Sequence, residues 1–301
     1  MSVKQPVRGG QVRIFVPMRT TLWLLLALLL LNCTDEVDIL PGNEPPVVNN
    51  VSTLRIENYV NRVFVDLLGR EPLDAELATE TAVLRRAGLV PAAREALVVK
   101  LQTSTDFIEG DTSYRRAHYQ HLYNLTKIRC LEGIADATIR SEFLGAATDP
   151  DAIARLEALL ALRADWQAGV LTPHEALART IHNDVYDRIN MNTTNFVEAS
   201  FDNLLWRFPT QSEFRAGFDM VEFNAPETLF GGTGSSKTDY VQLLTNDPEM
   251  SEGLLIWVYQ LTLARRPTTT ETAALLDEFH QNRDLERLYR AVLITDEYAG
   301  F

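Results

Sequence analysis

Phe64-Val65-Asp66-Leu67-Leu68-Gly69-Arg70-Glu71-Pro72-Leu73-Asp74-Ala75-Glu76 sets an aromatic six residues before an arginine, a proline two residues after that arginine and a glutamate six after it. Leucines stand three and four residues behind the aromatic, the spacing that lays side chains along one stripe of a helix. The same spacing returns in Phe201, Leu204, Leu205, Arg207, Pro209 and Glu213, and again in Tyr259, Thr262, Leu263, Arg265, Pro267 and Glu271. Three occurrences of one pattern define an internal repeat, and repeats of this kind are supersecondary units that bury their apolar faces against each other.

The chemistry of the pattern is that of a helix junction. The arginine falls where a helix ends and offsets the negative end of the helix dipole. The proline stops the helix and disfavours helical backbone just before it. Thr210 with Glu213, and Thr268 with Glu271, have the spacing of a capping box that opens the next helix. The first copy has no threonine there, and Asp74 is the expected cap. Asp106-Phe107, Glu249-Met250 and Glu297-Tyr298 follow the three junctions at comparable distances and are expected to close each helical hairpin.

Outward from these junctions, residues from Leu54 onward keep helical spacing, rich in Ala, Leu, Glu and Arg. The expected fold is all-α: repeated helical hairpins in an irregular bundle or short array, with 54–190 as an N-terminal helical domain holding one repeat and 191–301 as a C-terminal domain holding two. An insertion over 112–190 carries its own helix starts at Asp149-Pro150-Asp151 and at Thr172-Pro173-His174-Glu175.

The N-terminal stretch has a different character. Leu22 to Leu31 is a run of ten apolar residues, too short for a helix crossing a bilayer core of about 30 Å. It follows Met18-Arg19 and leads into Leu31-Asn32-Cys33, which resembles a lipoprotein signal with Cys33 as the acylated residue. Residues 1–32 are therefore expected to be a signal peptide, with Met18 as an alternative start. Residues 33–53, with Pro41, Gly42, Pro45 and Pro46, are expected to form a flexible tether. Thr34-Asp35-Glu36-Val37-Asp38 is similar to surface-export signals of Bacteroidota lipoproteins. The expected address is the cell envelope, as an outer-membrane lipoprotein with the cell surface as its candidate face.

Removing residues 1–32 takes away four basic residues and no acid, and moves the formal net charge from −13 to −17. Such a field repels polyanions, so nucleic acid is excluded as a partner. With Cys33 acylated, Cys130 has no disulfide partner and reads as a small buried hydrophobe. No sequence for haem attachment, a cysteine-rich zinc site or a common hydrolase is present, and no cofactor is expected.

Three segments offer candidate sites. His118 and His121 lie one helical turn apart and could share a metal ion, with Glu109 and Asp111 as oxygen donors. The span 114–129 holds Arg115, Arg116, Tyr119, Lys127 and Arg129 without an acid, and reads either as a dock for an acidic glycan or partner or as cations that pair inside the fold. Gly231-Gly232-Thr233-Gly234-Ser235-Ser236-Lys237-Thr238 lacks the glycine before lysine that a phosphate-binding loop requires, and is expected to be a flexible surface loop.

Val65-Asp66-Leu67-Leu68-Gly69-Arg70-Glu71-Pro72 resembles the LGR helical repeat of extracellular bacterial proteins. Leu263-Ala264-Arg265-Arg266-Pro267-Thr268, together with Asp296-Glu297-Tyr298, is similar to helical domains found beside cytochrome c modules in planctomycete-type proteins. These resemblances imply a helical fold and an envelope setting, and supply no catalytic residues. The expected function is a lipid-anchored binding or scaffolding component, not an enzyme, that meets an envelope protein or a glycan. The alternative is an accessory subunit or enzyme of an envelope redox or polymer-degrading system.

Overall fold

A computed structural model describes residues 51–108 and 110–301. The apolar run, Cys33, the tether up to residue 50, and Glu109 lie outside the described residues. Helices dominate the rest: α1 (Thr53–Leu68), α2 (Asp74–Arg86), α3 (Pro91–Thr103), α4 (Tyr114–Cys130), a short α5 (Asp136–Thr138) running into a π-helical stretch at Ile139–Leu144, α6 (Pro150–Gln167), α7 (Pro173–Ile181), α8 (Asp184–Asn190), α9 (Thr193–Leu205) and α10 (Gln211–Phe223). Strands β1 (Glu227–Leu229) and β2 (Gly232–Gly234) pair antiparallel, and α11 (Lys237–Asn246), α12 (Pro248–Leu263), α13 (Thr269–Asn282), α14 (Leu285–Leu293) and α15 (Asp296–Ala299) complete the chain. The all-α expectation holds. The small hairpin replaces the flexible loop expected at 231–238, because Ser236 caps α11 through Asp239 N–H and the Asp239 carboxylate accepts from Ser235 N–H.

Each repeat is a helical hairpin: α1 with α2, α9 with α10, and α12 with α13 pack against each other. The first helix of every pair ends on a residue in left-handed backbone, Gly69, Trp206 or Ala264, which turns the chain toward its arginine. Glycine is needed at the first of these for a second reason: a Cβ there would fall 2.4 Å from His121 Nδ1. Capping boxes at Thr210–Glu213 and Thr268–Glu271 open α10 and α13 as expected. In the first copy only half the box exists. Leu73 N–H donates to Glu76 at 2.7 Å, and Asp74 is the first helical residue, not the cap.

The described residues, 51–108 and 110–301, belong to one compact unit. The first repeat closes onto the last. Arg62 donates from α1 to the carbonyls of Thr262 and Tyr298 at 2.7–2.9 Å, where helix ends leave carbonyls unpaired. Tyr59 donates to Leu293 O, and Tyr298 donates to Asp66 at 2.7 Å. Fully buried Val60, Val63, Phe64, Phe201, Leu255 and Val258 form part of the core between these helices. Each such side chain contributes about 1.5–3 kcal/mol on burial. The insertion expected over 112–190 is α4 to α8, with Asp149 capping α6 and Thr172 capping α7.

Candidate functional site

Two kinds of polar assembly stand out, and they are built in opposite ways. The first is the repeat junction. Arg70 forks onto both oxygens of Glu76 at 2.8 and 3.0 Å, turns Nε to Asp111 at 2.5 Å and Nη1 to the Glu71 carbonyl. Arg207 does the same with Glu213 at 2.7 and 2.9 Å, Glu249 and the Phe208 carbonyl, and Arg265 with Glu271, Glu297 and the Arg266 carbonyl. Each guanidinium also lies 5.1–5.5 Å from the ring six residues earlier, Phe64, Phe201 or Tyr259, within cation–π range.

These arginines do more than offset a helix dipole: each binds the glutamate that caps the next helix to an acid on a third segment. Glu249 and Glu297 close their hairpins as expected. In the first copy the closing acid is Asp111, while Asp106 takes no part and Phe107 is 77% exposed. Asp111 lies 41 residues after its arginine, Glu249 lies 42 after Arg207 and Glu297 lies 32 after Arg265, so packing and not a fixed separation makes the choice. Hydrogen bonds from Arg207 and Arg265 hold the carboxyls of Glu213 and Glu271 down at about 2. Burial works against Glu76, but Arg70, Leu73 N–H and Tyr114 still bring it below its usual range. A carboxylate so tightly held is a structural clamp, not an acid–base catalyst.

The second assembly is a cavity of about 440 Å³ where α6, α7 and α11 converge. Arg155, Arg179, His182 and Gln242 line it, with Ala158, Ala178 and Val241 as apolar wall. Arg155 makes no hydrogen bond among the described residues and meets only Asp184, at 3.6 Å. Arg179 uses one nitrogen, Nη1, on Asp165 at 2.6 Å and the Ala158 carbonyl. Glu175, the acid in the wall, is turned to its own cap, where its Oε2 accepts from Thr172 N–H and hydroxyl at 2.7 and 2.8 Å.

Beneath this cavity His174 is 1% exposed. Its Nε2 stands 2.9 Å from Ser251 Oγ, which in turn stands 3.0 Å from His280 Nδ1. A serine between two imidazoles invites comparison with a catalytic nucleophile. Ser251 is completely buried, however, so no substrate reaches it, and burial pushes His174 down to about 3. The group therefore reads as a buried core contact, in which His174 Nδ1 has no hydrogen-bond partner among the described residues.

The residues singled out in the sequence are mostly bound within the fold. His118 is 1% exposed, holds the Leu67 carbonyl through Nδ1 at 3.0 Å and is pushed down to about 4 by burial. Among the described residues no three His, Cys, Asp or Glu side chains cluster to hold a metal, with His121 or otherwise. Nor does the basic stretch 114–129 form a dock. Arg115 donates to Gln167 O, Tyr119 to Glu286, and Lys127 to Asp136. Arg129 donates to Asp202 O and Asn203 O, so of the five candidates Arg116 alone stays exposed. Lys237, in the glycine-rich segment, pairs with Asp187 and lies over the Phe196 ring. Cys130 is buried, its thiol pushed up to about 12.

Comparison of the chain with protein-family models, with curated proteins and with solved structures gave no match. Among the described residues no helix is long and apolar enough to cross a membrane.

Proposed function

We propose that this protein is a lipid-anchored component of the cell envelope that acts by binding and scaffolding and not by catalysis, its helical array held off the membrane by the segment behind Cys33. The observation that carries this reading is the threefold arginine clasp. It commits the chain's repeated charged residues to holding helices together, leaving none of them poised for proton transfer. The apolar run ending at Cys33 supports the anchor, and the acidic residues behind it support the cell surface. An envelope protein or a glycan is the expected partner.

The cavity favours a second reading, an accessory subunit or enzyme of an envelope system, since small-molecule sites are concave with a few convergent polar groups. Its titratable groups speak for binding. Thr172 holds the Glu175 carboxyl low, and burial lowers His174 and His182, which favours a carboxylate and neutral imidazoles on the wall.

Palmitate labelling of wild type and Cys33→Ser, combined with protease shaving of intact cells, tests the proposal. Label on wild type alone, with the body removed by shaving, is the expected result. Label with a protected body would move the partner to the periplasm, and absence of label, or label independent of Cys33, would end the anchor reading.

A further inference from the structure

The groups left over in the cavity are mostly donors. Arg155 has its guanidinium nitrogens free of hydrogen bonds among the described residues, and Arg179 keeps Nε and Nη2. The side chains of His182 and Gln242 are likewise without hydrogen bonds there, whereas Glu175 already accepts from Thr172 through Oε2. Arg155, Arg179 and His182 are half-buried and Gln242 is exposed, so these groups are open to solvent and a ligand that enters can meet them directly. A donor-rich wall calls for a ligand that accepts, and the guanidinium fork matches the two oxygens of a planar oxyanion.

The charge around the cavity narrows the class. Arg155 faces Asp184, Arg179 is paired with Asp165, and Lys237, which adds to burial in pushing His182 down, is paired with Asp187. Those three cations are balanced, and the one left over is Arg283, which donates a hydrogen bond to Asn246 in the wall and has no ion pair among the described residues. The site thus offers a single surplus charge, suited to a monoanion and not to a multiply charged one, inside a chain of net charge −13. Ala158, Leu171, Ala178 and Val241 give an organic body something to pack against, and about 440 Å³ lies within the usual range for small-molecule sites.

We propose that this cavity binds a small organic monoanion through its carboxylate, with Arg155 and Arg179 gripping the oxygens and Gln242 and His182 completing the contacts. This rests on the reading of the protein as a binding component, to which it gives a site and a ligand class. It also assigns a purpose to the insertion, because α6 and α7 build two of the three walls and α11 of the second repeat supplies the third.

Isothermal titration of the full chain in detergent with benzoate and butyrate, against benzamide as the uncharged counterpart of benzoate and inorganic phosphate as a bare anion, decides the matter. One carboxylate per chain is expected to bind, with benzamide silent. Arg155→Gln should weaken binding by about 10-fold or more, the loss of a charge-assisted hydrogen-bond pair, with an unchanged melting temperature. Gln242→Leu, which removes no internal side-chain hydrogen bond, should weaken it less. The proposal fails if neither carboxylate binds wild type at millimolar concentration, if benzamide binds as well as benzoate, if phosphate binds more tightly than both acids, or if Arg155→Gln leaves the affinity intact. These outcomes are independent of the membrane. Failed titration leaves Cys33 labelling untouched, and failed labelling leaves the titration untouched.

Discussion

Arg207 and Arg155 are the same residue type at similar exposure, about a third of each side chain reaching solvent, yet they belong to opposite kinds of site. Arg207 binds two carboxylates and a carbonyl and faces an aromatic ring, whereas Arg155 has one loose ion pair. A saturated arginine fixes structure, and an unsaturated one on a cavity wall is available to a ligand. The difference lies in what surrounds each arginine.

The strongest way to break the clasp side of this comparison avoids charge altogether. Gly253, one turn after Glu249 on α12, lies so close to α9 that a Cβ there would meet Leu204 O at 1.9 Å. Gly253→Ala must push α12 away from α9 and carry Glu249 out of reach of Arg207. It is expected to destabilise the fold by about 3 kcal/mol, read as a lower urea midpoint. An unchanged midpoint would mean that the approach of the two helices does not position the clasp.

Next comes the arginine itself. Arg207→Met keeps the chain's bulk but leaves Glu213 and Glu249 facing each other without their cation. The expected loss is about 2 kcal/mol, less than for a fully buried pair because solvent reaches part of the site. A loss as small as that of a surface substitution would put the array's stability in its apolar core alone.

Acid should loosen all three clasps together. Glu213 and Glu271 sit at about 2 against an ordinary 4.5. Their folded values are depressed, so the stability they contribute is complete above pH 4.5 and is lost as the pH falls toward 2. Circular dichroism of urea-induced unfolding at stepped pH should show stability falling across that window, with a shallower fall in Arg207→Met. Equal slopes in the two proteins would remove the clasp from the acid response.

The smallest effect is expected at the cavity. Arg155→Gln removes a single ion pair at 3.6 Å, and stability should stay within about 0.5 kcal/mol of wild type. A cost approaching that of Arg207→Met would show Arg155 to be structural and erase the contrast between the two regions.

The clasps were legible in large part because their main contact is local. Arginine and cap glutamate lie six residues apart across a turn that proline and a left-handed residue enforce, and this happens three times. The third member was harder. Glu249 and Glu297 stand at the start of helices and were found, but the first copy has three acids in its connecting segment, Asp106, Glu109 and Asp111, and packing brings Asp111 to the arginine. Of the two readings of the basic stretch 114–129, pairing inside the fold is the one found, and its partners Gln167, Asp202 and Glu286 were hidden for the related reason that they come from other elements. No periodicity announces such pairs.

What the sequence determined by itself is therefore the helical repeat: its apolar stripes, its stops, its caps and the arginine that joins them, all set by contacts within a turn or two of chain. The cavity was decided by tertiary structure alone. Arg155 sits on α6, Arg179 on α7, His182 just after α7 and Gln242 on α11; what brings them to one wall is the packing of the insertion against α11. Whether a polar side chain ends up saturated or available depends on neighbours that arrive from far along the chain.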